Sequence, residues 1–292
     1  MRRVFKFLLR GVGFLLLVGL VFVAARVLII EANAQTFPAE ALAGPDGQFI
    51  DVNGASLYVI DKGEMTQPAV LLLHGFGGST YSWRYTIDPL VEAGYRVVAF
   101  DRPPYGLADK NPEIDYSTTN YVELTAGLMD ALEIESAVLV GHSAGGGVIA
   151  QFVLTYPERV DALVFVAGAV RVPDMVEPTP DPDGNSRGGS VFAPVFDVAS
   201  RLDPNSPFAQ IAVRQFVNKD LLAGIARANY YDPNKVTDEE IAGYTQVLDV
   251  DGWEGAFLRL FTMRDEGDTM AVDWSGLKSV AAPTLIVWGV ND

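Results

Sequence analysis

The sequence predicts an α/β fold: a mostly parallel central sheet covered by helices on both faces, with a helical cap insertion and an N-terminal transmembrane helix. Three observations support this fold class. From about residue 45, short apolar runs rich in β-branched residues alternate with helical stretches. These runs are apolar throughout, as in strands that are buried on both faces. Between residues 170 and 270 no obvious strand appears, whereas residues 11–30 form one long apolar run.

Residues 1–35 are predicted to be a membrane anchor or a signal segment. Four basic residues precede the apolar run from Gly11 to Ile30, which only Arg26 interrupts. Twenty helical residues span about 30 Å, the thickness of the hydrocarbon core of a bilayer. We therefore expect residues 11–30 to lie in the lipid bilayer and the body to lie outside the cytoplasm, in the periplasm or the extracellular space. The alternative is a secreted body, cleaved after the small residues of Ala32-Asn33-Ala34.

Composition narrows the function classes. The 292-residue chain has 21 basic and 37 acidic side chains, and five of the basic ones precede residue 35. The acidic body would repel phosphate backbones, so we expect no nucleic-acid partner. Without cysteine, disulfides and thiolate catalysis are excluded. Because neither a cluster of metal ligands nor a phosphate-binding glycine fingerprint occurs, we expect no metal and no cofactor. The oligomeric state is left open.

Residues 45–292 are predicted to form one domain. The turn Val52-Asn53-Gly54 between two short apolar runs, Gln48–Ile50 and Ser56–Ile60, predicts a β-hairpin. Five continuous apolar runs predict buried strands: Ala69–Leu73, Arg96–Phe100, Ala137–Val140, Ala162–Val166 and Thr284–Trp288. Helices are predicted between them, over Ser82–Ala93, Thr118–Leu132 and Gly145–Tyr156.

The cap is predicted at about residues 170–270. Residues 172–190 are rich in Pro, Asp, Gly and Asn, which is typical of an exposed loop. Residues 192–270 have the composition of helices, interrupted at Asp232-Pro233-Asn234. Thr237 followed by Glu240 predicts the capped start of a further helix.

Ser143 is the candidate nucleophile. It lies in Gly141-His142-Ser143-Ala144-Gly145, directly after a predicted strand and before a predicted helix. A strand-to-helix turn this tight requires small neighbours, and it lifts the serine hydroxyl out of the sheet. The glycine pattern alone is modest support, because it also arises by chance, but this placement is specific.

Four motifs in this order resemble the α/β-hydrolase superfamily, in its serine esterase and haloperoxidase-like branch. Besides the serine motif, they are Leu71–Gly78, similar to the oxyanion-hole loop, Phe100–Leu107, similar to the Asp-x-Pro-x-x-Gly signature, and Pro283–Asp292, similar to the strand that delivers the triad acid. The resemblance covers the chain from about residue 48 onward. It implies an eight-stranded, mostly parallel sheet with a helical cap after the sixth strand.

The resemblance also implies roles for individual residues. Asp292 matches the triad acid, which orients and stabilises the catalytic imidazolium. The oxyanion hole is expected from the backbone N–H groups of Phe76 and Ala144. His74, Gly75 and Gly77 belong to the loop that supports this hole, where the glycines let the backbone approach closely. Asp101 is expected to hold the turn that Pro103 and Gly106 define.

The general base is missing from this set. The chain contains only His74 and His142. His74 lies where the family has a structural histidine, and the side chain of His142 should diverge from that of its neighbour Ser143. The order of the triad in the family is serine, acid, histidine, which places the base downstream of Asp292. We therefore expect a chain that is truncated at the C-terminus, has no catalytic histidine and is inactive as given.

The predicted reaction is cleavage of a small or medium carboxylic ester through an acyl-serine intermediate. An aspartate nucleophile would indicate a haloalkane dehalogenase or an epoxide hydrolase, and serine at position 143 argues against both. Two alternatives stay open. One is a C–C bond hydrolase or a cofactor-free haloperoxidase-like enzyme, and the other is a non-catalytic, hydrolase-like binding protein.

Overall fold

Seven strands form one sheet in the computed structural model, which describes residues 18–19, 21–31, 34–168, 201–265 and 274–290. The strands are β1 (Gly47–Val52), β2 (Ala55–Lys62), β3 (Ala69–Leu73), β4 (Arg96–Phe100), β5 (Ala137–His142), β6 (Val160–Val166) and β7 (Thr284–Val287). Their order across the sheet is β1-β2-β4-β3-β5-β6-β7. All neighbours from β4 to β7 pair in parallel, whereas β1 with β2 and β2 with β4 pair antiparallel. The predicted α/β class with a mostly parallel sheet is therefore confirmed.

The β1–β2 hairpin turns at Asn53 and Gly54, as predicted. Both residues have positive φ, +52° and +83°. A two-residue turn of this kind matches the right-handed twist of the strands that it joins.

Both faces of the sheet are covered by helices. The N-terminal helix is α1 (residues 21–31). It is followed along the chain by α2 (Ala39–Leu42), α3 (Ile87–Glu92), α4 (Thr118–Ala131) and α5 (Ala144–Thr155). Leu71 and Leu73 of β3 pack in the core that contains α4 and α5, and the alternate residues Val70 and Leu72 pack against Ile87 of α3. Successive residues of a strand point to opposite faces, so each face of β3 is buried under its own layer.

The helix predicted over Ser82–Ala93 is wrong in its first half. Residues Thr80–Trp83 form a 3-10 turn, and the α-helix begins only at Ile87. Pro89 explains the difference, because its ring would clash with a helical carbonyl at Tyr85. In the first turn of α3 the proline is tolerated, since no intrahelical partner is needed there.

The strand predicted over Thr284–Trp288 exists but is not buried. Leu285, Ile286, Val287 and Trp288 are each about half exposed or more. Among the described residues β7 is the outermost strand and pairs with β6 alone, so its apolar side chains have a neighbouring strand on one side only.

The described part of the cap is helical, with α6 (Pro207–Phe216), α7 (Lys219–Asn229), α8 (Asp238–Thr245) and α9 (Trp253–Asp265). A separate small core around Val213, Trp253 and Leu258 packs α6 against α9. The predicted capping box is present: Thr237 accepts the N–H of Glu240, and the Glu240 side chain accepts the N–H of Thr237. The loop predicted at 172–190 lies outside the described residues.

The predicted membrane segment is described only in part. Residues 11–17 and 20 lie outside the described residues. Within the described ranges, no helix combines the length and the apolar character needed to cross a bilayer.

Candidate active site

The strand order reverses direction at the carboxyl ends of β3 and β5. From β3 the chain passes to β4 on one side, and later to β5 on the other side of β3. Connections that leave in opposite directions open a gap between the two strand ends, which is where α/β sheets bind ligands. The loop beginning at His74 and the turn at Ser143 both emerge at this gap.

Ser143 occupies a strained turn between β5 and α5. Its backbone has φ +48° and ψ −119°, and its N–H donates to the carbonyl of Val166 on β6 at 3.0 Å. A non-glycine residue in such a sparsely populated region stores about 1–3 kcal/mol of strain. Although Ser143 is the N-cap residue of α5, its side chain makes no capping hydrogen bond. The half-buried hydroxyl is therefore not engaged by the helix that it precedes.

The two glycines of the serine motif are required by close backbone contacts. A Cβ at Gly141 would lie 2.6 Å from the carbonyl oxygen of Gly145. At Gly145 a Cβ would lie 2.4 Å from the carbonyl oxygen of Leu73, at the end of β3. Both separations are below van der Waals contact, so the turn around Ser143 closes only with glycine at these positions.

The glycine-rich loop after β3 touches the serine turn. A Cβ at Gly75 would lie 3.0 Å from the Cβ of Ser143. Gly77 has φ +68°, and the N–H of Gly78 donates to the carbonyl of Gly75 at 3.2 Å, which closes the loop as a turn. Phe76, at the tip of the loop, is 59% exposed and packs edge-on against Tyr105.

Ala144 begins α5 directly after Ser143. The first N–H groups of a helix have no partner within the helix, and the helix dipole adds partial positive charge at this end. The structure thus brings Ser143, the loop of Gly75 to Gly78 and the N-terminus of α5 to one place. This arrangement suits a negative oxygen next to the serine hydroxyl.

His74 is locked in a neutral, structural state. It is completely buried, and its Nε2 accepts the backbone N–H of Arg102 at 3.2 Å. Nδ1 is 2.8 Å from the carbonyl oxygen of Gly75 and is the atom that carries the proton. Burial, and the positive charge of Arg102, hold the pKa of His74 well below its usual value. With both ring nitrogens engaged, His74 supports the loop and does not act as a base toward Ser143.

Arg102 is a positioning residue that the sequence motifs do not reveal. It is 2% exposed, and its guanidinium donates to the carbonyl oxygen of His74 and lies 4.9 Å from the ring centre of Tyr121. Its backbone and its side chain thus both hold the start of the glycine-rich loop. The signal in the sequence is an arginine two positions after a buried strand, within Phe100-Asp101-Arg102-Pro103.

Asp101 holds the turn after β4, as expected. Its carboxylate accepts the N–H of Thr80 at 2.6 Å and that of Leu107 at 2.7 Å. Burial raises the pKa of Asp101 to about 6, although these donors and nearby Lys110 oppose the shift. A Cβ on Gly106 (φ +52°) would overlap the carboxylate, which explains the glycine there.

The remaining predicted residues are placed as follows. His142 is the last residue of β5, and its ring lies 6.5 Å from that of Trp83. Asp292 lies outside the described residues, but the strand that leads to it is in place: the N–H of Ala167 donates to the carbonyl of Val287 at 2.9 Å. The carboxyl end of β7 is therefore level with that of β6, at the edge of the sheet that carries Ser143.

A cleft of about 310 Å³ lies elsewhere, between the segment of residues 29–36 and the cap. Neither Ser143 nor the loop from His74 to Gly78 lines it. Its position next to α1 and α6 makes it a feature of the junction between the N-terminal segment and the cap.

Comparison with known proteins agrees with this geometry. The family described as "alpha/beta hydrolase fold" matches residues 68–292. The AB hydrolase superfamily protein YfhM of Bacillus subtilis is 28% identical over 251 residues, which are 84% of this chain and 81% of that protein. Epoxide hydrolase A of Mycobacterium tuberculosis is 34% identical over 139 residues, 47% of this chain and 43% of the relative.

A solved structure extends the comparison to three dimensions. The meta-cleavage product hydrolase of Pseudomonas fluorescens IP01 superimposes with a TM-score of 0.62 at 28% identity. The superposition covers 83% of this chain and 79% of the other.

Proposed function

This chain belongs to the α/β-hydrolase fold family, and we propose that it is a serine hydrolase that cleaves a small or medium carboxylic ester. The observation that carries the proposal is Ser143 on a strained turn, beside a glycine-rich loop and the N-terminus of α5. Acyl transfer needs a nucleophilic hydroxyl and preorganised N–H donors for the oxyanion, and this geometry suits both.

In the proposed reaction, the Ser143 oxygen attacks the ester carbonyl and the carbonyl oxygen becomes an oxyanion. The backbone N–H groups of Phe76 and Ala144 donate to that oxyanion. The serine proton passes to a general base and from there to the leaving alcohol. The acyl-serine then reacts with water, which regenerates Ser143 and releases the acid. Asp292 is assigned to orient the protonated base. Neither His74 nor His142 is placed to act as that base.

The second candidate is hydrolysis of a C–C bond with the same nucleophile. It is favoured by the likeness to the meta-cleavage product hydrolase, at 28% identity over 83% of this chain. Epoxide hydrolysis is less well supported despite Epoxide hydrolase A among the relatives, because position 143 holds a serine and not a carboxylate.

Covalent labelling tests the nucleophile. In a form of the protein that carries the general base, a fluorophosphonate probe should label Ser143. Ser143→Ala should abolish the labelling, whereas the matched control Ser136→Ala should retain it. Activity assays then separate the two reactions. An esterase should hydrolyse short p-nitrophenyl esters, whereas a C–C bond hydrolase should cleave vinylogous diketones. A folded protein that the probe does not label at Ser143 would instead indicate a hydrolase-like binding protein.

We also propose that residues 11–30 anchor the protein in a membrane, with the hydrolase domain outside the cytoplasm. The support is the apolar run behind a basic start, together with the solvent-exposed apolar side chains of α1. Expressed in cells, the protein should remain in the membrane fraction after a carbonate wash, and external protease should digest the domain. A soluble form whose N-terminus is Gln35 would show instead that the segment is cleaved.

A further inference from the structure

Helix α1 presents apolar side chains around its circumference. Val21, Phe22 and Val23 are 59%, 70% and 57% exposed, and Leu28 is 69% exposed. Three consecutive helical residues point in directions about 100° apart, so no single side of the helix accounts for them. A helix that is apolar all round is suited to a protein core or to lipid, and not to water.

Two polar contacts hold the last turns of α1 against the cap, and a third, within the cap, holds the arginine that makes one of them. Arg214 of α6 pairs with Glu31 at 2.6 Å and with Glu254 of α9 at 2.6 Å. Arg26 donates to the backbone carbonyl of Gln215 at 3.1 Å. Glu254 is 3% exposed and fixes the Arg214 side chain within the cap. The pair of Arg214 with Glu31, whose side chains are 25% and 28% exposed, places the end of α6 beside the end of α1.

Two phenylalanines of α6 are exposed, one at each end of the helix. Phe216 follows Gln215 directly and is 66% exposed, and Phe208 in the first turn of α6 is 86% exposed. The Arg26 contact places Phe216 near the level of Arg26. That level is about 6 Å, four helical rises, from the end of the apolar run at Ile30. The neighbouring cleft is lined by apolar residues, among them Ile30, Val217 and Trp253, and by polar residues such as Asn218 and Asp249.

We propose that helix α6 and the last turns of α1 form one face that docks on the surface of a lipid bilayer, with Phe216 inserted at the interface. The inference rests on the membrane anchor proposed above. Lipid is the occupant because this face is continuous with the apolar run of residues 11–30. An aromatic side chain at the boundary between head groups and acyl chains is the usual way in which such a face is anchored. The cap is thereby held at the membrane.

A single-cysteine label tests the docking, since the chain has no cysteine of its own. Full chains carrying Phe216→Cys or Met65→Cys are labelled with an environment-sensitive fluorophore and reconstituted in phosphatidylcholine vesicles. Met65 is the matched control: it is 65% exposed and precedes β3, at the opposite edge of the sheet from the cap. We expect a blue shift, protection from iodide and quenching by shallow spin-labelled lipids at position 216, and none of these at position 65.

A second variant tests the junction. Glu31→Arg places a positive charge opposite Arg214 and should return the label at position 216 to water, whereas the control Glu40→Arg, in exposed α2, should not. If the protein partitions into vesicles but the label at 216 stays accessible to iodide, docking is refuted and the anchor stands. If the protein does not partition at all, both fail. A label protected without vesicles, at a concentration where the protein dimerises, would assign the face to a second copy and overturn the proposal.

Discussion

At the scale of single residues, Ser143 holds a backbone conformation that serves the site and not the fold. Replacement by glycine removes the strain of φ +48°, and replacement by alanine keeps it. Relief of the strain stabilises the glycine variant by about 1–3 kcal/mol, and the greater freedom of glycine in the unfolded chain costs about 0.5–1 kcal/mol. The free energy of unfolding should therefore be about 1 kcal/mol higher with glycine than with alanine. Ser143→Gly should therefore unfold at a higher urea concentration than Ser143→Ala. Equal midpoints for the two variants would mean that the strain at Ser143 does not exceed the cost of the greater freedom of unfolded glycine.

His74 gives the protein a specific dependence of stability on pH. Burial holds its pKa well below the usual value of about 6.5, so the folded state keeps His74 neutral while the unfolded chain takes up a proton. A depressed pKa means that this stability is complete above about pH 6.5 and is lost as the pH falls below it. The loss due to this one proton is about 1.4 kcal/mol per pH unit.

The measurement compares His74→Gln with the unchanged chain. Urea unfolding between pH 6.5 and pH 5 should show a smaller decline in the free energy of unfolding for His74→Gln, by about 1.4 kcal/mol per unit. The carboxylates of the two proteins are the same, so their contributions cancel in the comparison. His142→Gln is the control at the second histidine. Parallel declines for His74→Gln and the unchanged chain would show that His74 titrates normally.

At the scale of elements, the apolar runs predicted the sheet well. β3 and β4 begin and end where the sequence places them, because a strand buried on both faces is apolar throughout and is bounded by turn residues. The helix before β4 is shorter than its composition predicts, because the ring of Pro89 would clash with a helical carbonyl four residues earlier. The exposure of β7 could not be predicted either, since an apolar run does not reveal how many strands flank it.

Two helical glycines, Gly145 and Gly224, differ in the space available for a side chain, and substituting each of them by alanine tests the consequence. At Gly145 of α5 a Cβ would meet the carbonyl oxygen of Leu73 at 2.4 Å, whereas at Gly224 of α7 it would meet nothing within 4 Å. Gly224→Ala should stabilise the protein by about 1 kcal/mol through helix propensity alone. Gly145→Ala should destabilise it by about 1–3 kcal/mol, the usual cost of overpacking. The free energy of unfolding of each variant is measured in urea. If both substitutions stabilise the protein, α5 is not packed closely against β3.

A contact between the cap and the core depends on another glycine. Arg84 donates to Glu240 of α8 at 2.7 Å and lies 4.1 Å from the ring centre of Tyr81. A Cβ on Gly243 would lie 2.2 Å from that ring. Gly243→Ala should therefore push α8 away from the core and increase hydrogen exchange in residues 238–245, with little effect on β3 and β5. Unchanged exchange in α8 would show that the contact does not hold the cap.

At the scale of the whole molecule, the sequence predicted the parts of the site that lie close together along the chain. The serine turn and the glycine-rich loop were recognisable because their glycines recur at short, fixed spacings. The pairing of Arg84 with Glu240, 156 positions apart, and that of Arg214 with Glu31, 183 positions apart, leaves no such pattern. Contacts between distant side chains depend on how the cap lies on the sheet, which local spacing does not encode.

Activity of the 292-residue chain depends on a group that can accept the proton of Ser143. Serine attacks an ester at neutral pH only when a base takes its proton. The two histidines are excluded on different grounds: the ring nitrogens of His74 are both engaged at full burial, and His142 leaves the strand next to Ser143 with its ring toward Trp83. The purified chain should therefore hydrolyse p-nitrophenyl acetate no faster than its Ser143→Ala variant. Turnover that disappears on Ser143→Ala and persists in His142→Gln would show that another group of this chain serves as the base, and loss in both variants would identify His142 as that base.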